Sequence, residues 1–227
     1  LDKIIFTGGS GILGTEIKKI NKDNNFLFPT SKQFNILNFD ECDRFIDENK
    51  PSFIIHAAAA TNVKEIELNC TNAFDINIIG TINMIKLCEK YALKLVYIST
   101  DYVFDGERGN YTANDAINPL SKYAKSKAAA ELAVRMYDRH LIIRTSFFAN
   151  EFPYDRAFVD QWSSKDYIDI MAPKILEACL SNQCGIKHVF SSKETIFIKA
   201  RKRKCNVKPI SINDIENLKI PRDTSLI

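Results

Sequence analysis

No uninterrupted apolar stretch in the chain approaches the roughly 20 residues that a membrane-spanning helix requires, so no membrane partner is expected. The opening LDKIIFTGG mixes charge into a strand-like pattern and lacks the apolar core of a signal peptide. Cysteine occurs six times, at positions 42, 70, 88, 179, 184 and 205, but never as a CxxC pair. That spacing speaks against a disulfide framework or thiolate metal site, and for reduced packing residues in a cytoplasmic setting. His56, His140 and His188 show neither HxxH nor HExxH spacing, so no metal centre is expected. With 31 basic and 28 acidic residues, neither sign of charge dominates. The basic run Lys199, Arg201, Lys202, Arg203 and Lys204 reads as a solvated helix face, or as a diphosphate contact. No aromatic platform accompanies it, so nucleic acid is not an expected partner. Internal repeats and low-complexity linkers are absent too.

What the chain does have is alternation. Short apolar runs at 3–7, 25–29, 53–57, 95–99 and 141–144 read as strands. Helical patterns at 12–20, 40–49, 69–91 and 121–139 separate them. This order predicts an α/β fold with a doubly wound parallel (Rossmann) sheet over residues 1–145, and ligands at the carboxyl ends of its strands. Residues 146–227 read as a small substrate-binding lobe packed on that sheet. Within it lie an aromatic stretch at 146–154, a helical pattern at 167–180, a strand at 187–190 and a basic helix at 195–204.

TGGSGILG, residues 7–14, joins the first strand to the first helix. Glycines there allow a tight turn and close approach of backbone to a pyrophosphate, and the helix start supplies unpaired N–H donors. Gly8, Ser10, Gly11, Ile12, Leu13 and Gly14 are therefore the expected phosphate cradle. An acidic residue for a ribose 2′-hydroxyl should follow about 20 positions on, and none does. Pro29–Thr30–Ser31–Lys32 stands at the end of the second strand instead. The hydroxyl of Ser31 and the ammonium of Lys32 suit a 2′-phosphate, which favours NADP(H) over NAD(H).

Two further motifs supply chemistry. ISTDYVFD (98–105) ends the fourth strand, and YAKSK (123–127) lies on a helix. Tyr123 and Lys127, at i and i+4, share one face of that helix. A free phenol is too weak an acid for proton exchange at neutral pH, and a neighbouring ammonium stabilises its phenolate. Thr100, at the strand end, is placed to polarise a carbonyl, with Ser99 as the weaker candidate. Arg156, after the aromatic loop, is a candidate for a diphosphate, and Trp162 either stacks on a base or packs the lobe.

The segments TGGSGILG, HAAAATNV, INIIGT, ISTDYVFDG, NPLSKYAKSK and LIIRTSFF occur here in that order. In this the chain resembles the extended short-chain dehydrogenase/reductases, and among them the sugar-nucleotide reductases that act on dTDP-4-dehydro-6-deoxyhexoses. The likeness is good over 3–148 and loose beyond, through Asp160–Gln161 and PRDTSL near the end. It implies Thr100, Tyr123 and Lys127 as the catalytic triad, with Ala57, Ala58 and Ala59 lining the cofactor. It places Asn77 at the family's structural asparagine, and Ser99, Tyr102 and Val103 near the sugar. Asn35–Ile36 would lie against adenine, where the family often has aspartate first. The implied activity is NADP(H)-dependent reduction of a keto-sugar nucleotide; a homodimer is allowed for. The lobe is shorter than the family's usual one, and Trp162–Ser163–Ser164 replaces a Gly/Pro-containing stretch. Two alternatives stay open: an epimerase or dehydratase, and a non-catalytic NADP-binding regulatory subunit like the β subunit of methionine adenosyltransferase.

Overall fold

The computed structural model describes residues 3–23, 25–215 and 220–227. Six parallel strands form its central sheet: β1 (Ile4–Thr7), β2 (Phe26–Leu27), β3 (Phe53–His56), β4 (Lys94–Thr100), β5 (His140–Thr145) and β10 (Gly185–His188). Their order across the sheet is β10-β5-β4-β3-β1-β2. The chain leaves β1 towards β2 on one side and returns to β3 on the other. The crevice beyond β1 and β3 is therefore the topological switch point, where open α/β sheets bind ligands.

Alternation along the strands builds two cores. Ile4 and Phe6 of β1 face one side with Ile55, Val96 and Ile143, against α1 (Ile12–Ile20) and α6 (Ile168–Leu180). Ile5 faces the other with Ile54, Leu95, Tyr97 and Ile142. That side is covered by α2 (Phe39–Asn49), α4 (Gly80–Lys90) and α5 (Lys122–Val134). Burial on both faces explains the continuous apolar runs. Each large aliphatic side chain so buried contributes about 1.5–3 kcal/mol.

Two features differ from the sequence expectation. The pattern at 69–91 is not one α-helix. α3 (Val63–Leu68) precedes it, and a π-helix at Ala73–Ile79 then leads into α4. The wider turn is held by Asn77, whose Oδ1 accepts from Ala60 N–H at 2.7 Å. Its Nδ2 donates to Ala60 O at 3.0 Å and to Ser126 Oγ at 2.9 Å. Nor is everything after residue 145 a lobe: α6 packs on the sheet beside α1, and β10 pairs with β5. The lobe proper comprises β6 (Phe147–Phe148), β7 (Arg156–Phe158), β8 (Trp162–Ser163), β9 (Asp166–Tyr167), β11 (Glu194–Thr195), α7 (Ile196–Arg201) and β12 (Lys208–Ile210). Its small core gathers Phe152, Ala157, Tyr167, Ile196, Ala200 and Val207. No helix of the described residues is long and apolar enough to cross a membrane.

Candidate active site

Gly8 follows β1 with a positive φ of 75°. A Cβ there would lie 2.8 Å from Ala58 N and 2.9 Å from the Ala57 carbonyl, so only glycine lets the loops after β1 and β3 touch. A Cβ on Gly14 would meet Gly9 Cα at 2.5 Å. Gly11 caps α1 without a side-chain hydrogen bond, and the first turn, Ile12, Leu13 and Gly14, lines the crevice. Two cavities meet at this cradle, of ≈ 300 and ≈ 420 Å³, and Gly8, Gly11, Ala57 and Ala59 line both.

The larger cavity runs along Ser10, Pro29, Ser31, Phe34, Asn35, Ile36, Leu37, Ala58 and Ile76. Among the described residues, no charged side chain lines it. Asn35 makes an Asx turn, its Oδ1 accepting from Leu37 N–H at 3.1 Å, and Ile36 O accepts from Asn83 Nδ2 at 2.9 Å. Lys32 is exposed and lines neither cavity, although its neighbour Ser31 lines the larger one.

Beneath the cradle lies His56, fully buried. Thr81 Oγ1 donates to Asn77 O at 2.7 Å, so it accepts from His56 Nε2–H at 3.0 Å. The other ring nitrogen is then an acceptor for the Thr7 hydroxyl, 2.8 Å away. Thr7 Oγ1 in turn accepts from the N–H groups of Ala57 and Ala58 at 3.2 and 3.1 Å. Burial, with Lys127 nearby, pulls the imidazole down to about 3, so it is neutral. This histidine holds the two loops together, in keeping with its reading as a core residue.

The smaller cavity contains the expected chemistry. Ser99, Thr100, Tyr123 and Lys127 line it with Ile12, Leu13 and Gly14. Ser121 caps α5, its side chain accepting from Ala124 N–H at 3.1 Å, and so sets the start of the helix that presents Tyr123. Lys127 is 4% exposed; its ammonium donates to Ile98 O at 2.8 Å and lies 4.1 Å from the Tyr97 ring centroid. Burial lowers it to about 7, opposed by the Glu131 charge. Tyr123 moves the other way from the expectation. Burial, then Asp101 and Tyr102, raise its phenol above the ordinary value, and a hydrogen bond with Thr100 opposes the rise.

Behind the triad sits a buried ion pair. Tyr123, Lys127 and Glu131 follow at i, i+4 and i+8 of α5. Glu131 Oε1 lies 2.7 Å from Arg144 Nη2, with both side chains wholly buried. Burial pushes that carboxyl up, but the hydrogen bond and charge of Arg144 outweigh it and hold it low. Ser99 Oγ donates to Glu131 Oε2 at 2.6 Å, so the hydroxyl that lines the cavity is oriented from behind. The lone arginine inside the apolar run LIIRT, and an acid one helical turn past Lys127, are the sequence signals for this pair. Thr145 Oγ1, 3% exposed and on the cavity wall, has no hydrogen-bond partner among the described residues.

Asp101 is also buried, and burial raises its carboxyl. It accepts from Thr100 Oγ1 at 3.2 Å, Ser163 Oγ at 3.3 Å and Thr224 Oγ1 at 2.7 Å, tying the lobe and the PRDTSL segment to the end of β4. PRDTSL therefore has a positional role. A Cβ on Gly109 would meet the Asp223 carboxylate at 2.1 Å, so that loop is built around it.

Other expected contacts fall elsewhere. Val103 is fully buried with Phe104 and Tyr111, because the 3-10 turn after β4 directs it into the core, and it lines neither cavity. Arg156 is exposed on β7 and lines neither cavity. Asn77 lines neither as well; its amide is consumed by Ala60 and Ser126. Tyr102 stands beside the site under Lys165, whose Nζ is 5.4 Å from its ring centroid. The basic run is structural: Lys199 is buried and donates to Ser192 O, while Lys202, Arg203 and Lys204 pair with Glu194, Asp169 and Asp155. Thr61, Thr145, Ser146 and Phe147 also line the smaller cavity and are not among the expected site residues, although the segments HAAAATNV and LIIRTSFF contain them.

The likeness to known proteins agrees with this geometry. Residues 2–171 match the family model described as RmlD substrate binding domain. A dTDP-4-dehydrorhamnose reductase of Aggregatibacter actinomycetemcomitans is 33% identical over 182 residues, 76% of this chain and 61% of that protein. Methionine adenosyltransferase 2 subunit beta of Danio rerio is 34% identical over 138 residues, 57% of this chain and 42% of that protein. The chain thus spans less than two thirds of these relatives. Among solved structures, dTDP-4-dehydrorhamnose reductase from Bacillus anthracis in complex with NADP superposes with a TM-score of 0.86 at 27% identity, covering 100% of this chain and 88% of that one. A dTDP-4-dehydrorhamnose reductase ortholog from Clostridium acetobutylicum gives 0.89 at 27% identity, over 99% and 90%. By the family match across most of its length, on a Rossmann sheet with its glycine cradle at the switch point, the chain belongs to the RmlD substrate-binding-domain family, within the extended short-chain dehydrogenase/reductases.

Proposed function

We propose that the chain binds NADP(H) and reduces the ketone of a keto-sugar nucleotide, a dTDP-4-dehydro-6-deoxyhexose being the first candidate. The observation that carries this reading is that Thr100, Tyr123 and Lys127 line the same cavity as Gly8, Gly11 and Gly14. The residues fit a dinucleotide. A cradle that a Cβ would fill suits a pyrophosphate, the uncharged larger cavity suits an adenosine, and the unpartnered Thr145 hydroxyl suits a polar group at the nicotinamide end. The nicotinamide, when bound, supplies the hydride.

The protein's part is to hold the carbonyl and deliver a proton. Tyr123 gives its phenolic proton to the oxygen as alkoxide character develops. Burial keeps the phenol in its proton-bearing form, the form that a reduction requires. Thr100 orients the carbonyl, and its own hydroxyl is held between Tyr102 N–H and the Asp101 carboxylate. Lys127 places a charge beside the reacting oxygen, and Glu131 favours its protonated form.

The test is consumption of NADPH with a dTDP-4-keto-6-deoxy sugar. Tyr123→Phe should lower the rate by about 10²–10⁴-fold with an unchanged melting temperature. An unaltered rate would remove Tyr123 as the acid. The similarity to the methionine adenosyltransferase β subunits supports a second reading, a cofactor-binding regulatory subunit. Retention of NADP⁺ without turnover across a panel of keto sugars, together with a stable protein partner, would favour it.

A further inference from the structure

We propose that Lys18, and not Lys32, is the cation that meets the 2′-phosphate of an adenosine bound in the larger cavity; this rests on the dinucleotide reading above. In NAD-binding Rossmann sheets the ribose 2′-hydroxyl is met by an acid about 20 residues past the first glycine. Here Gly8 is followed at that distance by Phe28, directly after β2. An aromatic ring therefore occupies the post of the acid. Lys18 Nζ lies 5.0 Å from the centroid of that ring.

The ammonium is also close to the cradle. A Cβ on Gly9 would lie 3.4 Å from Lys18 Nζ and 3.0 Å from Phe28 Cβ. Gly9, Pro29 and Ser31 all line the larger cavity, so Lys18, exposed and itself outside the lining, stands beside its Gly9 edge. Helical side chains lean towards the amino terminus, which is how a residue on the second turn of α1 reaches back to the loop before it. Its neighbour Lys19 is paired with Glu16 at 2.8 Å, whereas no carboxylate among the described residues pairs with Lys18. A charge resting on a ring beside an acid-free cavity is free to take an anion, and Ser31 adds a hydroxyl on the same wall.

Calorimetric titration of NADP⁺, NAD⁺, 2′,5′-ADP and 5′-AMP into the full chain, Lys18→Met and Lys32→Met tests the assignment without turnover. Lys18→Met should weaken NADP⁺ and 2′,5′-ADP by about tenfold. NAD⁺ and 5′-AMP should move by less than about twofold, and Lys32→Met should leave all four near wild type. Loss of NADP⁺ affinity in Lys32→Met but not in Lys18→Met would overturn the proposal. So would equal wild-type affinity for NADP⁺ and NAD⁺, although the cofactor reading would then stand. A wild-type chain that binds neither dinucleotide would defeat that reading, and this inference with it.

Discussion

The two ends of the crevice are built on opposite principles. At the adenosine end the walls are glycine, alanine and uncharged side chains, and backbone geometry defines the space. At the chemical end Lys127, Glu131, Arg144 and Asp101 are all buried: Glu131 joins Arg144 and Ser99, Lys127 donates to Ile98 O, and Asp101 accepts from Thr224. Binding a phosphate chain needs close approach and aligned N–H groups, so it is served by what the residues lack. Proton transfer needs side chains with fixed charge and direction, so it is served by a network that low dielectric makes both strong and unforgiving. Substitutions should therefore fail differently at the two ends.

The largest stability effect is expected at the chemical end. Arg144→Met leaves Glu131 buried with Ser99 and the partly exposed Arg135 as its remaining partners. Breaking a buried pair from one side costs about 3–5 kcal/mol. Denaturant unfolding should report that loss, and adding Glu131→Leu to Arg144→Met should recover part of it. If the single variant unfolds like the wild type, the network is not what holds β4, α5 and β5 in place.

At the glycine cradle, where the two cavities meet, the expected effect is smaller on stability and larger on affinity. Gly14→Ala forces a methyl against Gly9 Cα and Gly8 O, both backbone atoms that must shift. Overpacking of this kind costs about 1–3 kcal/mol. The cradle would open with it, so calorimetric affinity for NADP⁺ should fall at least about tenfold. Unchanged affinity would mean that the phosphates do not sit on this loop.

The same contrast decides what sequence reading can reach. Apolar runs between helical patterns locate β1 to β5, since strands buried on both faces must be apolar throughout. The glycine cradle and the Tyr123–Lys127 spacing are local, and each implies its chemistry without a third dimension. The place of β10 is not local: its partner β5 lies about forty residues earlier, and only the sheet order joins them. Val103 follows Thr100 by three residues yet turns into the core, and Arg156 stands exposed on β7 outside both cavities, placements that proximity in sequence cannot distinguish. The choice between Lys32 and Lys18 is not legible for a related reason: composition at the end of β2 does not say which side chain turns inward. Lys18 was equally visible in the sequence, but nothing there tells that it folds back over Phe28.

His56 lies between the two ends, bonded to the cradle through Thr7 and close to Lys127, and it offers the gentlest test of their coupling. Burial, then the charge of Lys127, depresses its folded-state value to about 3 from an ordinary 6.5. Between those two values the unfolded chain carries the proton on this residue and the folded chain does not. Stability from His56 is then fully present above pH 6.5 and is lost as pH falls towards 3, at up to about 1.4 kcal/mol per pH unit. Lys127 acts in a higher window. Its folded value of about 7 lies below its ordinary 10.5, so it adds stability as pH rises between them and leaves the acid window to His56. Urea midpoints measured from pH 7 down to 4 should therefore fall more steeply in the wild type than in His56→Asn. That variant should start lower at pH 7, because Thr7 and Thr81 lose a shared partner. Parallel slopes would show that the histidine titrates freely, and that the loops after β1 and β3 are not locked through a neutral ring.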